Sequence, residues 1–570
     1  MRFIDSLSRG ARISLVLGII VFINIIVSFV HLNIDLTEDN RFRLTEPTKH
    51  LIRSVPDNIY IRVLLDGEFP AGFKRLKQAT KDLLDQMRSY NGYIEYSFEN
   101  PNEGTAHDIN KRREEYSKDG MLPTNLMVRT GTENKEQLIY PYAILMSGSD
   151  KMIVNLLENA SGADQETNLG NSINLLEYKM ANGLQRLLSN NKKNILFVTG
   201  HGELESEQTR SIESSLRYFY NFGRVNLDSV PLLKKEVDAL IIAKPRLPYS
   251  EQNKFTLDQY IMRGGKVLWL VDGMAMSLDS MSTRTEYVPE PLDVGLSDLL
   301  YKYGLRIQPD FVLDLECSRI PQVIGKQGDR PQIELFPWYY HPLVAARSNH
   351  PISRNLDYIN FEFVSSIDTI KTKLTQTKTA LLYSSQYSRI QLYPNKVGFD
   401  ILRYKPDPDK FNKPNIPIAY LVEGGFSSAF ENRMEESMLQ GLHSIGQDFV
   451  SSVSNNKMIL VSDGEIIKNL YDKENGKFAQ LGYNKFEKTT FNGNRDFLSN
   501  ALEYLTNDQN ILSARSKEFK IRLLDKVKVA KERSFWQFLN IGLPLLGLVL
   551  FGIFNTWYRK KKYTGFVSGT

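Results

Sequence analysis

Asn194–Gly200 reads NILFVTG, Val237–Pro245 reads VDALIIAKP, and Gly264–Gly273 reads GGKVLWLVDG. Each run is apolar at every position through its centre, with no alternation of polar and apolar residues, so both faces of each strand must be buried. Between the runs, Ser206–Phe219 and Ser250–Met262 read as helices, the second with Ser250 as its cap. Strand, helix, strand, helix, strand with fully apolar strands predicts a flavodoxin-like parallel sheet covered on both faces. Ile416–Gly425 (IPIAYLVEGG) and Asn456–Gly464 (NKMILVSDG) read as two more strands of the same kind, followed by a helix over Gly493–Leu505. If these return to the same sheet, one α/β domain spans 191–507, and 274–415, rich in Pro, Tyr and Asp, is a large insertion in it.

Upstream, 33–190 predicts a separate α/β domain. Ile59, Ile61, Val63 and Leu65 alternate along a strand, Leu76, Leu83, Leu84 and Met87 share one face of a helix over Phe73–Tyr90, and Tyr93–Phe98 is a second strand. This unit is compatible with a thioredoxin-like layered sheet. A hairpin follows, with Gly148 and Ser149 at its turn, and then a helix over Asn171–Ser189 capped by Asn171 or Ser172.

The two ends differ from this middle. Ile13–Leu32 contains no Asp, Glu, Lys or Arg, and Phe535–Trp557 is equally apolar, with Trp536 and Trp557 at its ends. At about 1.5 Å per residue, each is long enough to cross a hydrocarbon core of about 30 Å. The net charge of +5 resides at the termini: Arg2, Arg9 and Arg12 against Asp5 give +2, and Arg559 to Lys562 give +4, leaving −1 for everything between. Basic flanks predict that the tails 1–12 and 558–570 are cytoplasmic, in a two-pass protein of a bacterial inner membrane whose bulk is periplasmic. A cleaved leader is the rival reading of the first run, but SFVHLNIDL offers no small-x-small cleavage site. The charged stretch 508–534 reads as a helical stalk leading to the second span. A near-neutral middle argues against nucleic acid as a ligand, and a single cysteine, Cys317, excludes an intramolecular disulfide.

Little in the chain points to catalysis. The Gly-Lys pairs at 265–266, 325–326 and 476–477 are followed by Val, Gln and Phe, so none forms a nucleotide-binding loop with a Mg²⁺-ligating hydroxyl. No Gly-x-Ser-x-Gly elbow or His-Glu-x-x-His pair occurs. Two candidate sites remain. His201 and Glu203 follow the first strand of the parallel sheet, and Asp272 and Asp463 end two others, so all four could line the carboxyl edge where open α/β sheets bind ligands. Strand-ending Gly and Asp-Gly pairs are also ordinary turn formers. Trp338, Tyr339, Tyr340 and His341 could line an aromatic groove for a sugar or peptide, or could pack as core. No cofactor and no catalytic residue is expected.

Taken in order, several segments resemble one family. They are IDLTEDNRFRLTEPTKHLI from Ile34, VTGHGELE from Val198, LVEGGFSSAFENR from Leu421, VSDGEIIKN from Val461, RSKEFKIRLLDKVK from Arg515, and WYRKKKY from Trp557. The resemblance is to the gliding-motility-associated ABC transporter auxiliary (so-called substrate-binding) proteins of Bacteroidetes, the GldG family. It implies an outer region related to the α/β domain of intraflagellar-transport proteins (GIFT-like). It also implies a GldF-like permease and a GldA-like cytoplasmic ATPase as partners, with two copies per complex a natural stoichiometry. A non-catalytic accessory subunit is the expected function. A periplasmic carboxylate-dependent hydrolase or sugar-modifying enzyme and a conventional solute-binding receptor are the alternatives.

Overall fold

The computed structural model describes residues 43–507, apart from short stretches of which 159–164 is the longest, and residues 533–564. The expected stalk is described only at its last two residues, and the first apolar run only at Gly18 and Phe22, so both expectations lie essentially outside the described residues.

The chain divides into two compact units, Met1–Glu518 and Phe519–Thr570. The larger begins with α1 (Glu46–Arg53), β1 (Ile59–Val63), α2 (Ala71–Tyr90), β2 (Ile94–Phe98), α3 (Ala106–Lys118), β3 (Thr124–Thr130), β4 (Glu133–Ile139), β5 (Tyr142–Ser147), β6 (Asp150–Asn155) and α4 (Gln165–Leu188). Four of the strands form a mixed sheet in the order β2-β1-β5-β6. β1 runs parallel to β2 across the α2 crossover and antiparallel to β5. β5 and β6 form the hairpin expected around Gly148 and Ser149. α4 starts one and a half turns earlier than the sequence pattern suggested. Ser172 therefore sits inside the helix, where its hydroxyl donates to the Asn168 carbonyl and accepts from the Glu158 N–H.

The chain continues through β7 (Lys193–Thr199), α5 (Ser206–Leu216), β8 (Tyr220–Asn226), β9 (Ala239–Ala243), α6 (Glu251–Met262) and β10 (Lys266–Leu270). Ser250 caps α6 as its position implies, accepting from the Asn253 N–H at 3.2 Å. The next elements include β11 (Asp310–Asp314), the long hairpin β12 (Cys317–Gln327) and β13 (Arg330–Val344), and β14 (Gln376–Tyr383) and β15 (Ser388–Leu392). β16 (Pro417–Ser427), β17 (Ser452–Val461) and α7 (Gly493–Thr506) close the unit. The main sheet has seven strands in the order β14-β16-β17-β10-β9-β7-β8. From β8 to β17 all neighbours are parallel. Numbered by sequence, those five strands run 2-1-3-4-5, the flavodoxin-like order, with the reversal of direction between β7 and β9.

Two features differ from the sequence reading. β16 pairs antiparallel with β17, so it is not of the same kind as its neighbours. β14, which falls inside 274–415, adds to the sheet edge antiparallel to β16. The insertion is therefore partly sheet. β16 carries a near-continuous apolar centre because the sheet is covered on both faces there, and burial of that kind removes the alternation that would have signalled direction. β14 is an edge strand, polar over Gln376–Thr379 and fully buried only at Leu381 and Leu382.

In the second unit, Arg533–Thr564 is helical, with a π-type turn over Phe538–Gly542. Pro544 follows immediately and cannot donate to the preceding turn, so a wider turn at this point accommodates it. Phe535–Lys561 is long and apolar enough to cross a membrane, with a mean hydropathy of 1.9 over an 18-residue window, and none of that window is buried against protein.

Candidate functional site

The carboxyl ends of β17, β10, β9 and β7 present, in that order, Asp463, Asp272, Lys244 and His201. The structure divides the four sequence-predicted residues into two clusters. His201 and Glu203 belong to one, and Asp272 and Asp463 to the other.

The first cluster fills the point where the strand order reverses. Gly200 turns the chain with φ +114°, and a Cβ there would lie 2.8 Å from Asn226 Oδ1. The Glu203 carboxylate folds back to accept from the His201 backbone N–H at 2.7 Å, and it meets His201 Nδ1 at 3.1 Å. Tyr249 donates to the same carboxylate at 2.5 Å, and its ring stacks on the imidazole with centroids 3.6 Å apart. Asn253 Nδ2 approaches His201 Nε2 at 2.9 Å and donates to Asp228 at 2.7 Å. With a proton on Nδ1, both ring nitrogens are satisfied, and no reactive atom is left facing solvent. Burial alone would push the Glu203 carboxyl up. The hydrogen bonds from His201 and Tyr249 outweigh it and hold the group below its usual range. Burial and the adjacent Glu203 push the Tyr249 phenol well up. The His201 carbonyl also accepts from the N–H groups of Arg246 and Leu247, which ties the loops after β7 and β9 together.

The second cluster contains Asp272 and Asp463 together with two residues the sequence reading missed, Glu465 and Lys244. One carboxylate oxygen from each of Asp272, Asp463 and Glu465 lies within 4.8 Å of the others. Asp463 is 1% exposed and accepts from the backbone N–H groups of Glu465 at 2.6 Å and Glu362 at 2.8 Å. Asp272 accepts from Gly464 N–H at 2.5 Å. The Lys244 side chain is buried, with its ammonium 3.1 Å from Asp272 and in contact with Glu465. Neither contact has hydrogen-bond geometry, so the pairing is one of charge. Lys244 has φ +56°, a left-handed conformation that costs a non-glycine residue free energy and that the ion pairs offset. Gly464 admits it, since a Cβ there would run into the Lys244 side chain. Burial pushes the Asp463 carboxyl well up, the neighbouring Asp272 adds to the effect, and Lys244 opposes it. The signals that could have marked the missed pair were a Lys directly after the all-apolar ALIIA and a Glu two residues beyond the strand-ending Asp463.

Glu203 does not join the acidic group, so the four residues do not converge on one open cleft. The aromatic quartet forms no shared groove: Trp338, Tyr339 and Tyr340 pack as core, and His341, buried beside them, borders a cavity. Trp338, Tyr339, Tyr340 and His341 are all buried in a core of the 274–415 region with Phe311, Phe363 and Phe411. Tyr340 donates to Gln391 at 3.0 Å. The four residues lie where the hairpin register shifts, between Arg319↔Pro337 and Cys317↔Pro342, and the segment that pairs with Leu343 and Val344 covers this stretch from the other side through the Phe361 and Phe363 N–H groups.

Residues 192–501 match the family described as an ABC-type uncharacterized transport system, and residues 38–146 match a domain of unknown function. This chain belongs to that ABC transport auxiliary family. An uncharacterized protein of Borreliella burgdorferi is 23% identical over 478 residues, which is 81% of this chain and 87% of that one. Among solved structures, the IFT52 N-terminal domain aligns with 55% of this chain and 97% of its own at 15% identity, with a TM-score of 0.30.

Proposed function

We propose that this protein is a non-catalytic, membrane-anchored accessory subunit of an ABC transporter complex associated with gliding motility. In this reading the terminal apolar segments pack against a GldF-like permease, whose motion is driven by a GldA-like ATPase in the cytoplasm. The bulk of the chain lies in the periplasm and binds cargo or an envelope partner. Membership of an ABC transport auxiliary family supports the transporter association.

The observation that carries the non-catalytic reading is the filled switch point. In doubly wound sheets the crevice beside the reversal is the ligand site. Here the His201–Tyr249 stack and the Glu203 carboxylate occupy it, with their polar atoms committed to one another. Of the carboxylates singled out in the sequence, Glu203 lies apart from Asp272 and Asp463, and the cluster that holds the latter two carries its own counter-ion in Lys244.

The test is co-purification after gentle detergent extraction of membranes from the source cells. A permease and an ATPase subunit recovered with this chain support the reading. Recovery of the chain alone from membranes that contain both counts against it. Deleting 535–570 should abolish co-purification if the second apolar segment forms the permease contact.

A further inference from the structure

Beside the acidic cluster is a cavity of about 150 Å³, walled by parts of the 274–415 region and by the chain that follows β17. Its charged side chains are mixed in sign. Glu465 is already paired with Lys244. Asp279, Glu362, Lys468 and Lys485 line the same space, and none of these four is in an ion pair among the described residues. Two acids and two bases thus face one cavity without neutralising each other. Two uncharged groups join them. His341 is 4% exposed, yet its Nε2 has no hydrogen-bond partner. The side-chain Oδ1 of Asn360 is likewise buried without a donor. Natural interiors rarely leave such atoms unpaired, and each unmade bond carries a desolvation penalty.

The backbone explains why the acceptors meet. Phe361 N–H donates to the Pro342 carbonyl at 3.0 Å and Phe363 N–H to the Tyr340 carbonyl at 2.8 Å. His341 and Glu362 are therefore directly opposed in the antiparallel pair, in the register where side chains lie closest. Asn360 precedes Glu362 by two residues and so shares its face of the extended segment. An imidazole nitrogen, an amide oxygen and a carboxylate come from this one pairing. The two lysines come from elsewhere, Lys468 from the turn after β17 and Lys485 from the loop before α7. Lys485 is exposed whereas His341 is buried, so the cavity runs from an acceptor end inside to a basic end at its mouth.

We propose that this cavity binds a small zwitterionic amino acid, its ammonium held by His341, Asn360 and Glu362 and its carboxylate by Lys468 and Lys485. An ammonium has three N–H donors and no acceptor, which matches three acceptors that lack a donor. The two lysines would repel a bare cation, and Glu362 with Asp279 would repel a plain anion. A molecule that carries both charges satisfies both ends with charge-assisted hydrogen bonds. The state of the imidazole agrees: burial holds His341 below its ordinary range, so it is neutral and accepts on Nε2 when its proton is on Nδ1. Volume bounds the ligand. At about 30 Å³ per water the cavity holds roughly five waters, and so a molecule of about five to eight non-hydrogen atoms, the size of glycine, alanine or serine. Ordered water is the rival occupant. The site is separate from any permease contact, so its failure would leave the transporter association intact.

The experiment uses the full-length, tag-free protein in detergent, dialysed exhaustively and titrated with glycine, L-alanine and L-serine by calorimetry. Acetate and methylammonium, which carry one charge each, are titrated in parallel. The expected result is one saturable site per chain for at least one of the amino acids, with both single-charge compounds at least about tenfold weaker. Glu362→Gln and Lys468→Met should each weaken binding at least about tenfold. His443→Gln, on an exposed histidine outside the cavity lining, should bind as the unsubstituted protein does. Circular dichroism checks that each variant folds, and Lys485→Met replaces any that does not. No saturable binding overturns the proposal and leaves water as the occupant. Acetate or methylammonium binding as tightly as the amino acid, or undiminished affinity in the folded Glu362 and Lys468 variants, overturns it equally.

Discussion

Replacing Lys244 with Met separates the charge of that side chain from its bulk. Methionine matches the lysine stem closely in volume and flexibility, so the cavity contribution is small, and the left-handed backbone at φ +56° is the same in both proteins. What is lost is the ammonium in contact with Asp272 and Glu465, the only one among the described residues, at a position 2% exposed. Removing one partner of a buried ion pair costs about 3–5 kcal/mol, because the remaining charge stays desolvated. Asp463 already favours its neutral form, which relieves part of the repulsion, so the lower end, about 3 kcal/mol at pH 7, is expected. The pH dependence has a definite sign. The folded-state pKa of Asp463 lies above its unfolded value, so its contribution to stability is fully present below about pH 4 and is lost as pH rises through the folded value. Lys244 holds that value down, so the variant should fall further behind the unsubstituted protein at pH 8 than at pH 5. Guanidinium unfolding at both pH values, read from the fluorescence of Trp269 in the core of the parallel sheet, measures the difference. A deficit below about 1 kcal/mol at both would show that Lys244 does not neutralise the cluster.

Three further outcomes are expected. Glu503→Ala leaves the Tyr178 hydroxyl and Asn182 amide, both on α4, without their acceptor on α7, and should cost about 3 kcal/mol; faster hydrogen exchange along α4 would locate the effect, and unchanged exchange would refute it. Burial pushes the Cys317 thiol up to about 12, so a maleimide at pH 7.5 should label it only after denaturant is added, and rapid labelling of the folded protein would contradict the structure. His341 is held down by burial, so its contribution to stability is present above its ordinary value near 6.5 and is lost as pH falls below it. His341→Gln should flatten the melting-temperature profile between pH 5 and 7, and a profile as steep as the original would show that other groups set it.

How far the sequence could be read depended on the kind of information each feature uses. β7, β9 and β10 were legible because burial on both faces wrote the same apolar code at every position, and α6 was legible because Ser250 caps it. The same double-sided burial concealed the direction of β16, since direction shows in neither composition nor period. At the carboxyl edge, Asp272, Asp463, His201 and Glu203 could be singled out from their position after strands. Their division into two clusters could not, because it depends on which side chains reach across: Tyr249 and Asn253 to His201, and Lys244 to Asp272 and Glu465. The quartet at 338–341 was a surface-or-core question that composition alone leaves open. Its answer lay in the register shift of the β12–β13 hairpin at 338–341 and in the second segment that pairs with β13 from its other side.

That second pairing joins the two parts of the site. By pairing with Ile359–Asn360, β13 places His341 opposite Glu362, and the Glu362 backbone in turn holds Asp463 at the end of β17. The 274–415 region thus supplies residues to the carboxyl edge of the parallel sheet as well as an edge strand to its side. A flavodoxin-like sheet whose switch point is filled has lost the crevice its topology would provide. The long segment inserted after β10 builds a second cavity two strands away, lined by its own His341 and Glu362 and by Glu465 from the loop after β17. Any ligand taken there would bridge the insertion to the sheet. Its occupancy would then be coupled to how firmly the 274–415 region is seated.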